Sequence, residues 1–397
     1  MNIRIHIGIA TLSCLLIACA AAIAQELPVN WQGLPEPYAT PSARNPPQMV
    51  PRPPGAQLSL PAGFTIEEWA TGFYGGPREM ILGPDGEVLI SQMGGGSVTA
   101  VRDGERKDIL RGLNGPFGLA MHENWLYVAE IDSVKRYRYD AAAMSVGEAE
   151  EVIDLRAFNG GHVTRAILFD PGHDYLYISI GSGSNVDAGE PPMRAAISRY
   201  EADGGSHSIF ASGIRNAVGM DWNPVTGELW VSAHERDGLG DDLVPDYLTR
   251  VQEGGFYGWP YAYIGPHEDP RRKGEAPELV KKTLYPDVLL GGHVGAMDVL
   301  FYTANQFPAR YRNGAFVALH GSWNRSKRAG YKIVFVPFKD GRPAAGPEDF
   351  VSGWMLGEDR REVWGRPVGL LQLPDGSMLI SDEGPGTIWR VTYDAKG

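Results

Sequence analysis

One pattern of apolar and polar positions recurs along the whole chain. In each copy a bend leads into an apolar run, a turn rich in Pro, Asp, Asn or Gly follows, and a second apolar run usually ends at Ser. Runs of this length and alternation are typical of β-strands, and no segment of helical length and period separates the copies. Six copies occur, over residues 75–91, 114–130, 161–179, 214–232, 293–322 and 365–381.

Repetition of a strand pair at this spacing predicts the architecture. A single copy cannot bury both of its faces, so neighbouring copies have to stack around a common axis. The sequence therefore predicts an all-β protein, a six-bladed β-propeller. We expect residues 64–69 to join the last blade beside residues 379–381, because a blade completed by both ends of the chain leaves no free sheet edge.

The chain divides into three predicted regions. Residues 1–24 combine an early basic start with an apolar run of about a dozen residues and small residues before Gln25, which is typical of a secretory signal peptide. Residues 25–62 are rich in proline and have no periodicity, so we interpret them as an extended lead-in or linker. Residues 63–397 form the propeller domain.

Both cysteines of the chain, Cys14 and Cys19, lie in the first region. Cleavage after Ala24 would remove them. In the alternative, the segment Leu16 to Cys19 resembles the lipobox of bacterial lipoproteins, and Cys19 would carry a lipid anchor. Both routes predict a periplasmic or secreted protein, whose only link to a membrane would be lipid at Cys19. Core burial and sheet closure, not disulfides, must then stabilise the exported domain.

Charge and motifs exclude several functions. The formal net charge is −12 at pH 7, whereas a nucleic-acid partner would need a basic stripe, so we predict none. The sequence also lacks a dinucleotide-binding GxGxxG between strand and helix, a P-loop, an HExxH and a GxSxG elbow. Nicotinamide, ATP and serine-esterase chemistry are therefore unsupported.

Polar residues stand at the lead-in to each copy. A histidine there suits proton abstraction because its ordinary pKa is near neutral, and an arginine presents a planar fork to a carboxylate. Taken singly, each residue has a structural alternative, such as a salt bridge between blades. We expect them to meet at one end of the central channel. They are Arg78, Asn114, His162, Arg215 with Asn216, His293 and Arg366.

The densest polar segment is the glycine-broken loop from Glu235 to Asp242. Carboxylates and exposed main-chain carbonyls are the ligands that calcium requires, and calcium tolerates irregular geometry. The alternative is a solvated acidic loop, and the spacing is not that of an EF-hand.

Seven segments in order resemble the glucose/sorbosone dehydrogenase family, most closely its sorbosone dehydrogenase branch. The resemblance covers residues 63–393 and implies a six-bladed propeller that binds pyrroloquinoline quinone (PQQ) and Ca²⁺ and oxidises an aldose or L-sorbosone. It also implies a respiratory electron acceptor, either a cytochrome or a quinone. The segments are GGHVTRAILFDPGHDYLYISIGSGSN, SGIRNAVGMDWNP, ERDGLGDDLVPDYLTRV, GGFYGWPY, HGSWNRS, YKIVFVPF and WGRPVG.

The resemblance implies roles for individual residues. His162 matches the catalytic base, and Arg215 with Asn216 matches a pair that contacts the quinone carbonyls, where Arg215 stabilises developing charge. Ser182 and Trp364 depart from the pattern: they stand where relatives have an acid that orients the histidine and a second arginine. Further implied cofactor contacts are Asn114, Arg165, Arg325 and Arg366, and implied metal ligands are Glu235, Arg236, Asp237 and Asp242.

Two other functions stay open at this point. A calcium-dependent lactonase-type hydrolase would use the same propeller with a metal and no quinone. A non-catalytic propeller that binds carbohydrate or protein would need neither. The fold alone does not decide among them, because propellers carry unrelated functions.

Overall fold

The computed structural model describes residues 26–394. The predicted signal peptide, with Cys14 and Cys19, and residues 395–397 lie outside the described residues. Six antiparallel sheets of four strands each make up the body of the protein. This arrangement confirms the predicted six-bladed β-propeller.

Blades 1 to 5 each take four strands in chain order, from the central channel outward. Blade 1 consists of Pro77–Leu82, Val88–Gln92, Ser97–Arg102 and Glu105–Arg111. Blade 2 consists of Leu119–His122, Trp125–Ala129, Ser133–Asp140 and Ser145–Asp154. Blade 3 consists of Ile167–Phe169, Tyr175–Ile180, Ala196–Glu201 and His207–Ser212. Blade 4 consists of Asn216–Trp222, Leu229–His234, Pro245–Arg250 and Val288–Gly292. Blade 5 consists of Ala296–Phe301, Ala315–Leu319, Lys332–Val336 and Glu348–Val351.

Blade 6 combines both ends of the chain. Its strands are Pro367–Gln372, Met378–Asp382, Thr387–Tyr393 and Phe64–Thr71. The strand Phe64–Thr71 pairs antiparallel with Thr387–Tyr393, which in turn pairs with Met378–Asp382. The N-terminal strand therefore closes the last blade as predicted, but at its outer edge, because Thr387–Tyr393 already occupies the place beside residues 379–381.

Smaller elements decorate this body. One α-helix, Pro277–Lys282, lies in the long connection of blade 4. The 3₁₀ turns are Arg156–Phe158, Pro270–Arg272 and Ala309–Tyr311. The short strand pairs are Gln48–Met49 with Glu362–Val363, Ala262–Tyr263 with His267–Glu268, and Phe338–Lys339 with Arg342–Pro343. None of the helices within residues 26–394 has the length and apolar character needed to cross a membrane.

The second strand of a blade is its most deeply buried element. Val88–Gln92, Trp125–Ala129 and Met378–Asp382 are buried at every position. A strand in the middle of a blade has another blade against each face, so apolar side chains are needed in both directions. This explains why the second run of each repeat is almost continuously apolar.

Residues 26–62, which we call the N-terminal strap, lie against the propeller. Main-chain hydrogen bonds join Val29 N to Asp287 O (2.9 Å), Tyr38 N to Leu239 O (2.7 Å) and Asn45 N to Trp323 O (2.8 Å). Further along, Ser59 and Ser352 exchange two main-chain hydrogen bonds. The strap therefore crosses blades 4 and 5 as a docked segment, which corrects our interpretation of it as an extended linker.

Strand direction decides which residues meet at the channel. The first and second strands of a blade are antiparallel, so the start of the first lies beside the end of the second. In blade 4, for example, Asn216 pairs with His234, and in blade 6 Pro367 pairs with Asp382. The first strands of neighbouring blades also contact one another around the axis. Lead-in residues and second-strand ends therefore converge at one end of the channel.

Candidate active site

A cavity of about 330 Å³ opens at this end of the channel. Its size lies within the usual range for small-molecule sites, roughly 300–1,000 Å³. Three larger cavities, of about 660, 630 and 350 Å³, lie elsewhere and are lined by no histidine, so the candidate catalytic side chains concentrate in the smaller one. Its side chains are His162, Arg215, His234, Glu235, Asp237, Asp246, His293, His320, Trp323, Asn324 and Arg366.

His162 is held in one tautomer by the main chain. Its Nδ1 lies 2.9 Å from the carbonyl oxygen of Ser182, which can only accept, so Nδ1 carries the proton and Nε2 keeps its lone pair. The Ser182 hydroxyl lies 3.1 Å from the same Nδ1 and donates to Ser184 O at 2.6 Å. Burial, and then the charge of Arg215, lower the pKa of His162 to about 3. The imidazole is therefore neutral at physiological pH and oriented without a carboxylate.

Arg215 forms a fixed positive wall beside this histidine. Its Nη1 donates to Glu235 O at 2.8 Å, and its Nη2 donates to Asn185 Oδ1 at 3.1 Å and lies 3.7 Å from Asp237 Oδ2. Burial lowers the pKa of Arg215 from its ordinary value, but an arginine remains charged at neutral pH. Bonds to these neighbours leave the guanidinium little freedom to reorient.

Asn216 lies behind His162 and does not line the cavity. The Cα of Gly181 faces both residues so closely that an added Cβ would overlap Asn216 Oδ1 and the His162 Cβ. Only glycine permits this approach. The buried Oδ1 of Asn216 has no hydrogen-bond partner in the part of the chain that the structure describes.

Arg366 belongs to a charged cluster at the opposite wall. Its Nη1 lies 3.6 Å from Glu383 Oε1, and the same carboxylate contacts His320 Nε2 and Arg78 Nη2. Burial acts to raise the pKa of Glu383, but His320, Arg78 and Arg366 together hold it well below its usual range. Burial lowers the pKa of His320 to about 3, so a neutral imidazole faces an ionised carboxylate. Two arginines against one carboxylate leave this corner with net positive charge, which suits an anionic ligand.

The acidic loop is tied down by ion pairs. Glu235 Oε2 accepts from Arg236 Nε at 3.0 Å, and Arg236 Nη1 lies 3.1 Å from Asp269 Oδ2, with all three side chains fully buried. The Arg236 guanidinium therefore has its own partners and is not available to a ligand. Asp237 is half-buried at the cavity wall, and its Oδ1 accepts from Asn324 Nδ2 at 2.6 Å.

Besides Asn216, three further predicted cofactor contacts do not line the cavity. Arg165 is fully buried, and its guanidinium donates to the main-chain oxygens of His162, Thr164 and Phe158 at 2.7–2.8 Å. Arg325 pairs with Asp242 at the surface, and Asn114 is exposed. The structure therefore does not bring these residues into the cavity with Arg215 and Arg366, because internal carbonyls and a surface carboxylate bind the two arginines.

The predicted metal ligands do not converge either. Glu235 and Asp237 line the cavity, whereas Arg236 is buried in an ion pair and the side chain of Asp242 is 59% exposed beside Arg325. Within residues 26–394 no three His, Cys, Asp or Glu side chains have the spacing of metal ligands. Glu235 Oε1, however, is buried without a hydrogen-bond partner among these residues, so one carboxylate oxygen at the cavity wall is free to bind.

Two cavity residues, His234 and His320, come from a position that the lead-in pattern does not include. They follow the second apolar run of their repeats, as does Glu383, which pairs with Arg366 beside the cavity. Because first and second strands are antiparallel, these strand ends return to the channel end where the lead-ins begin. The same repeat that predicted the lead-in residues could therefore have predicted this second group.

The fold and the cavity together define a propeller with a polar ligand site at one end of its channel. The chain belongs to the TrAA12-like family, whose pattern matches residues 58–244 and 277–394. A relative from Borreliella burgdorferi, an uncharacterized protein, is 30% identical over 353 residues, which cover 85% of this chain and 91% of the relative.

Two solved structures share the fold. The calcium structure of the Trichoderma reesei carbohydrate-active enzyme of family AA12 has a TM-score of 0.74 at 19% identity, covering 87% of this chain and 98% of that chain. The holo form of the pyranose dehydrogenase PQQ domain from Coprinopsis cinerea has a TM-score of 0.72 at 20% identity, covering 86% and 98%. These matches confirm the predicted resemblance to PQQ-dependent sugar dehydrogenases, without singling out the sorbosone branch.

Proposed function

We propose that this protein is an exported PQQ-dependent sugar dehydrogenase that oxidises an aldose or a sorbosone-type sugar. The observation that carries the proposal is the neutral, main-chain-oriented His162 beside the fixed charge of Arg215. A base and a positive group side by side are what removal of a hydride and a proton from a sugar requires. The family match and the names of the two structural neighbours support the same chemistry.

The residues present fit an anionic, planar cofactor. The corner formed by Arg366, Arg78 and Glu383 carries net positive charge and suits one of the carboxylates of PQQ. Arg215 would face a quinone oxygen, and Trp323, a 45% exposed residue that lines the cavity, offers a flat apolar surface. When bound, the quinone supplies the hydride acceptor.

Calcium fits the cavity less completely. The side chains supply two carboxylates, Glu235 with its unpartnered oxygen and Asp237, whereas calcium takes six to eight oxygens. Main-chain carbonyls and the cofactor itself would have to supply the others. We therefore propose that calcium binds together with the cofactor, and the existence of a calcium structure of the AA12 enzyme supports calcium as the metal.

The chain's own residues would divide the work as follows. His162 Nε2 takes the proton of the sugar hydroxyl, while its Nδ1–H stays on the carbonyl of Ser182. Arg215 stabilises the negative charge that develops on the oxygen it faces. Burial, and then the charge of Arg215, lower the pKa of His162 in the free protein; a bound polyanion would offset the contribution of Arg215 to this shift.

Export and the electron acceptor complete the proposal. The predicted signal peptide supports a periplasmic or secreted location, with lipid at Cys19 as the alternative to cleavage after Ala24. An exported dehydrogenase needs an acceptor outside the cytoplasm, so we propose a respiratory cytochrome or quinone as partner.

Dye reduction across a sugar panel tests the proposal. Protein reconstituted with PQQ and calcium should reduce the dye with at least one aldose, and omission of PQQ should abolish the reaction. Absence of turnover with every sugar, together with no PQQ-induced rise in melting temperature, would refute it. Hydrolysis of a lactone with calcium alone would instead identify the hydrolase alternative.

A further inference from the structure

Two parts of the chain outside the family match support the cavity wall. The match omits residues 26–57, which belong to the N-terminal strap, and residues 245–276. The second part contains Asp269, whose carboxylate holds Arg236, and Arg271, whose Nη1 donates to Asp237 O at 2.7 Å. The strap reaches the same wall from the other side, at Thr40 and Asn45.

Asn45 fixes the loop that carries Asn324. Its main-chain N–H donates to Trp323 O at 2.8 Å, and its side-chain amide donates to the carbonyl oxygens of Arg325 and Ser326 at 3.1 Å each. Its own carbonyl accepts from Arg328 Nη2 at 3.1 Å. One strap residue therefore makes four hydrogen bonds to the loop of residues 323–328.

Thr40 fixes the neighbouring loop. Its hydroxyl accepts from the main-chain N–H of Asp241 at 2.8 Å. Gly240 packs so closely on Thr40 that an added Cβ would lie 2.9 Å from the threonine hydroxyl, and its φ of +126° is one that side-chain-bearing residues rarely adopt. The strap therefore sets the place of the Gly240 carbonyl.

Both loops end on the same histidine. His293 Nε2 donates to Gly240 O at 2.9 Å, and His293 Nδ1 accepts from Asn324 Nδ2 at 3.2 Å. The second hydrogen of the Asn324 amide binds Asp237 Oδ1. His293 itself has a φ of +56°, a conformation that persists only when surrounding contacts enforce it.

We propose that the N-terminal strap positions residues of the cavity wall, with Thr40 and Asn45 as positioning residues for His293 and Asp237. Thr40 acts through the Gly240 carbonyl on Nε2, and Asn45 acts through Asn324 on Nδ1. Both hydrogen-bond partners of this wall histidine thus depend on a segment that contributes no cavity side chain. The identity of the ligand in this inference rests on the proposed function. The hydrogen bonds through which the strap positions His293 and Asp237 do not depend on it.

Asn45→Ala, compared with Asn30→Ala, tests the inference. Asn30 makes two similar hydrogen bonds from the same strap, to Leu289 O at 2.8 Å and Leu289 N at 3.0 Å, on the outer strand of blade 4. Both variants remove strap contacts, so both should lower the melting temperature. Only Asn45→Ala should speed hydrogen exchange in residues 237–242 and 321–328 and weaken PQQ binding, by about tenfold.

Thr40 provides a second, conservative pair. Thr40→Val keeps the shape but removes the acceptor, so PQQ binding should weaken by roughly fivefold or more. Thr40→Ser keeps the hydroxyl and should restore wild-type affinity.

Three outcomes decide the matter. Equal exchange and equal PQQ affinity in Asn45→Ala and Asn30→Ala would overturn the inference, as would a Thr40→Val protein that binds PQQ like Thr40→Ser. If wild-type protein binds no PQQ, the proposed function fails, and faster loop exchange in Asn45→Ala than in Asn30→Ala still decides whether the strap positions the wall.

Discussion

At the scale of single residues, His162 illustrates how one role can be filled by a different group. The resemblance implies an orienting acid, and this chain has Ser182 in its place. The structure shows that the carbonyl of Ser182, at 2.9 Å, holds Nδ1–H and so leaves Nε2 unprotonated. Without the orienting acid, His162 keeps the tautomer with its proton on Nδ1. It lacks, however, a neighbouring negative charge that would raise its pKa.

Replacement of His162 by glutamine should abolish turnover and leave cofactor binding intact. The amide has a similar size but cannot accept a proton, and a general base contributes about 10²–10⁴-fold to the rate. The measurement is kcat with a responsive sugar, alongside the PQQ affinity of the same preparation. A variant that turns over as fast as wild type would exclude His162 as the base.

Residue identity alone could not sort the arginines. Arg165 and Arg366 both stand near a lead-in, yet the first satisfies three buried carbonyls while the second lines the cavity. What a guanidinium binds depends on the backbone folded around it, and the repeat pattern carries no information about that. The structure places Arg215 and Arg366 at the cavity and Arg165 and Arg325 away from it, while their roles as cofactor contacts stay predictions.

At the scale of elements, apolar periodicity predicted the blades because each repeat obeys the same burial rule. The strap gave no such signal. Its proline content is typical of a linker, and its anchors are separate polar contacts from Asn30, Thr40 and Asn45 to residues about 200 or more positions away. Long-range hydrogen bonds of single side chains leave no period in a sequence, so docking of the strap could not be predicted.

The strand pair of each blade also explains the residues that were missed. The lead-in supplies His162 and Arg366 to the cavity. The end of the second strand supplies His234 to the cavity and Glu383 as the partner of Arg366. Antiparallel pairing makes these two positions neighbours in every blade. A prediction that followed both ends of the pair would have recovered most of the cavity.

At the scale of the whole molecule, the channel contains a second charged group on its first strands. Glu79, Asp221 and Asp298 belong to the first strands of blades 1, 4 and 5; Asp298 is buried, and Glu79 and Asp221 are half-buried. Burial raises the pKa of Asp221 and of Asp298 to about 7, and burial with both neighbouring acids raises the pKa of Glu79 well above its usual range. Ionisation of this group must therefore destabilise the fold.

Glu79→Gln should reveal this cost as a pH effect. The folded-state pKa values are raised, so the carboxyls favour the fold at low pH, and that contribution is lost as pH rises through about 7. The variant removes the Glu79 charge and its repulsion of the Asp298 carboxylate, so its loss of unfolding free energy from pH 5 to pH 9 should be smaller than that of wild type. Denaturant unfolding at both pH values measures this difference.

The exposed carboxylate Glu105 provides the control for that comparison. Glu105→Gln should follow the wild-type pH dependence. If Glu79→Gln also shows the wild-type pH dependence of unfolding free energy, ionisation of the three channel acids does not destabilise the fold.

The central claim is that the cavity at the channel end binds an anionic quinone through the arginines that line it. Titration of the purified protein with PQQ and calcium, followed by absorbance and calorimetry, tests it most directly. The account predicts saturable binding of about one PQQ per chain, weakened about tenfold or more in Arg366→Gln and unchanged in Arg325→Gln, whose guanidinium pairs with Asp242 outside the cavity. Absence of saturable binding, or equal losses in the two variants, would contradict it.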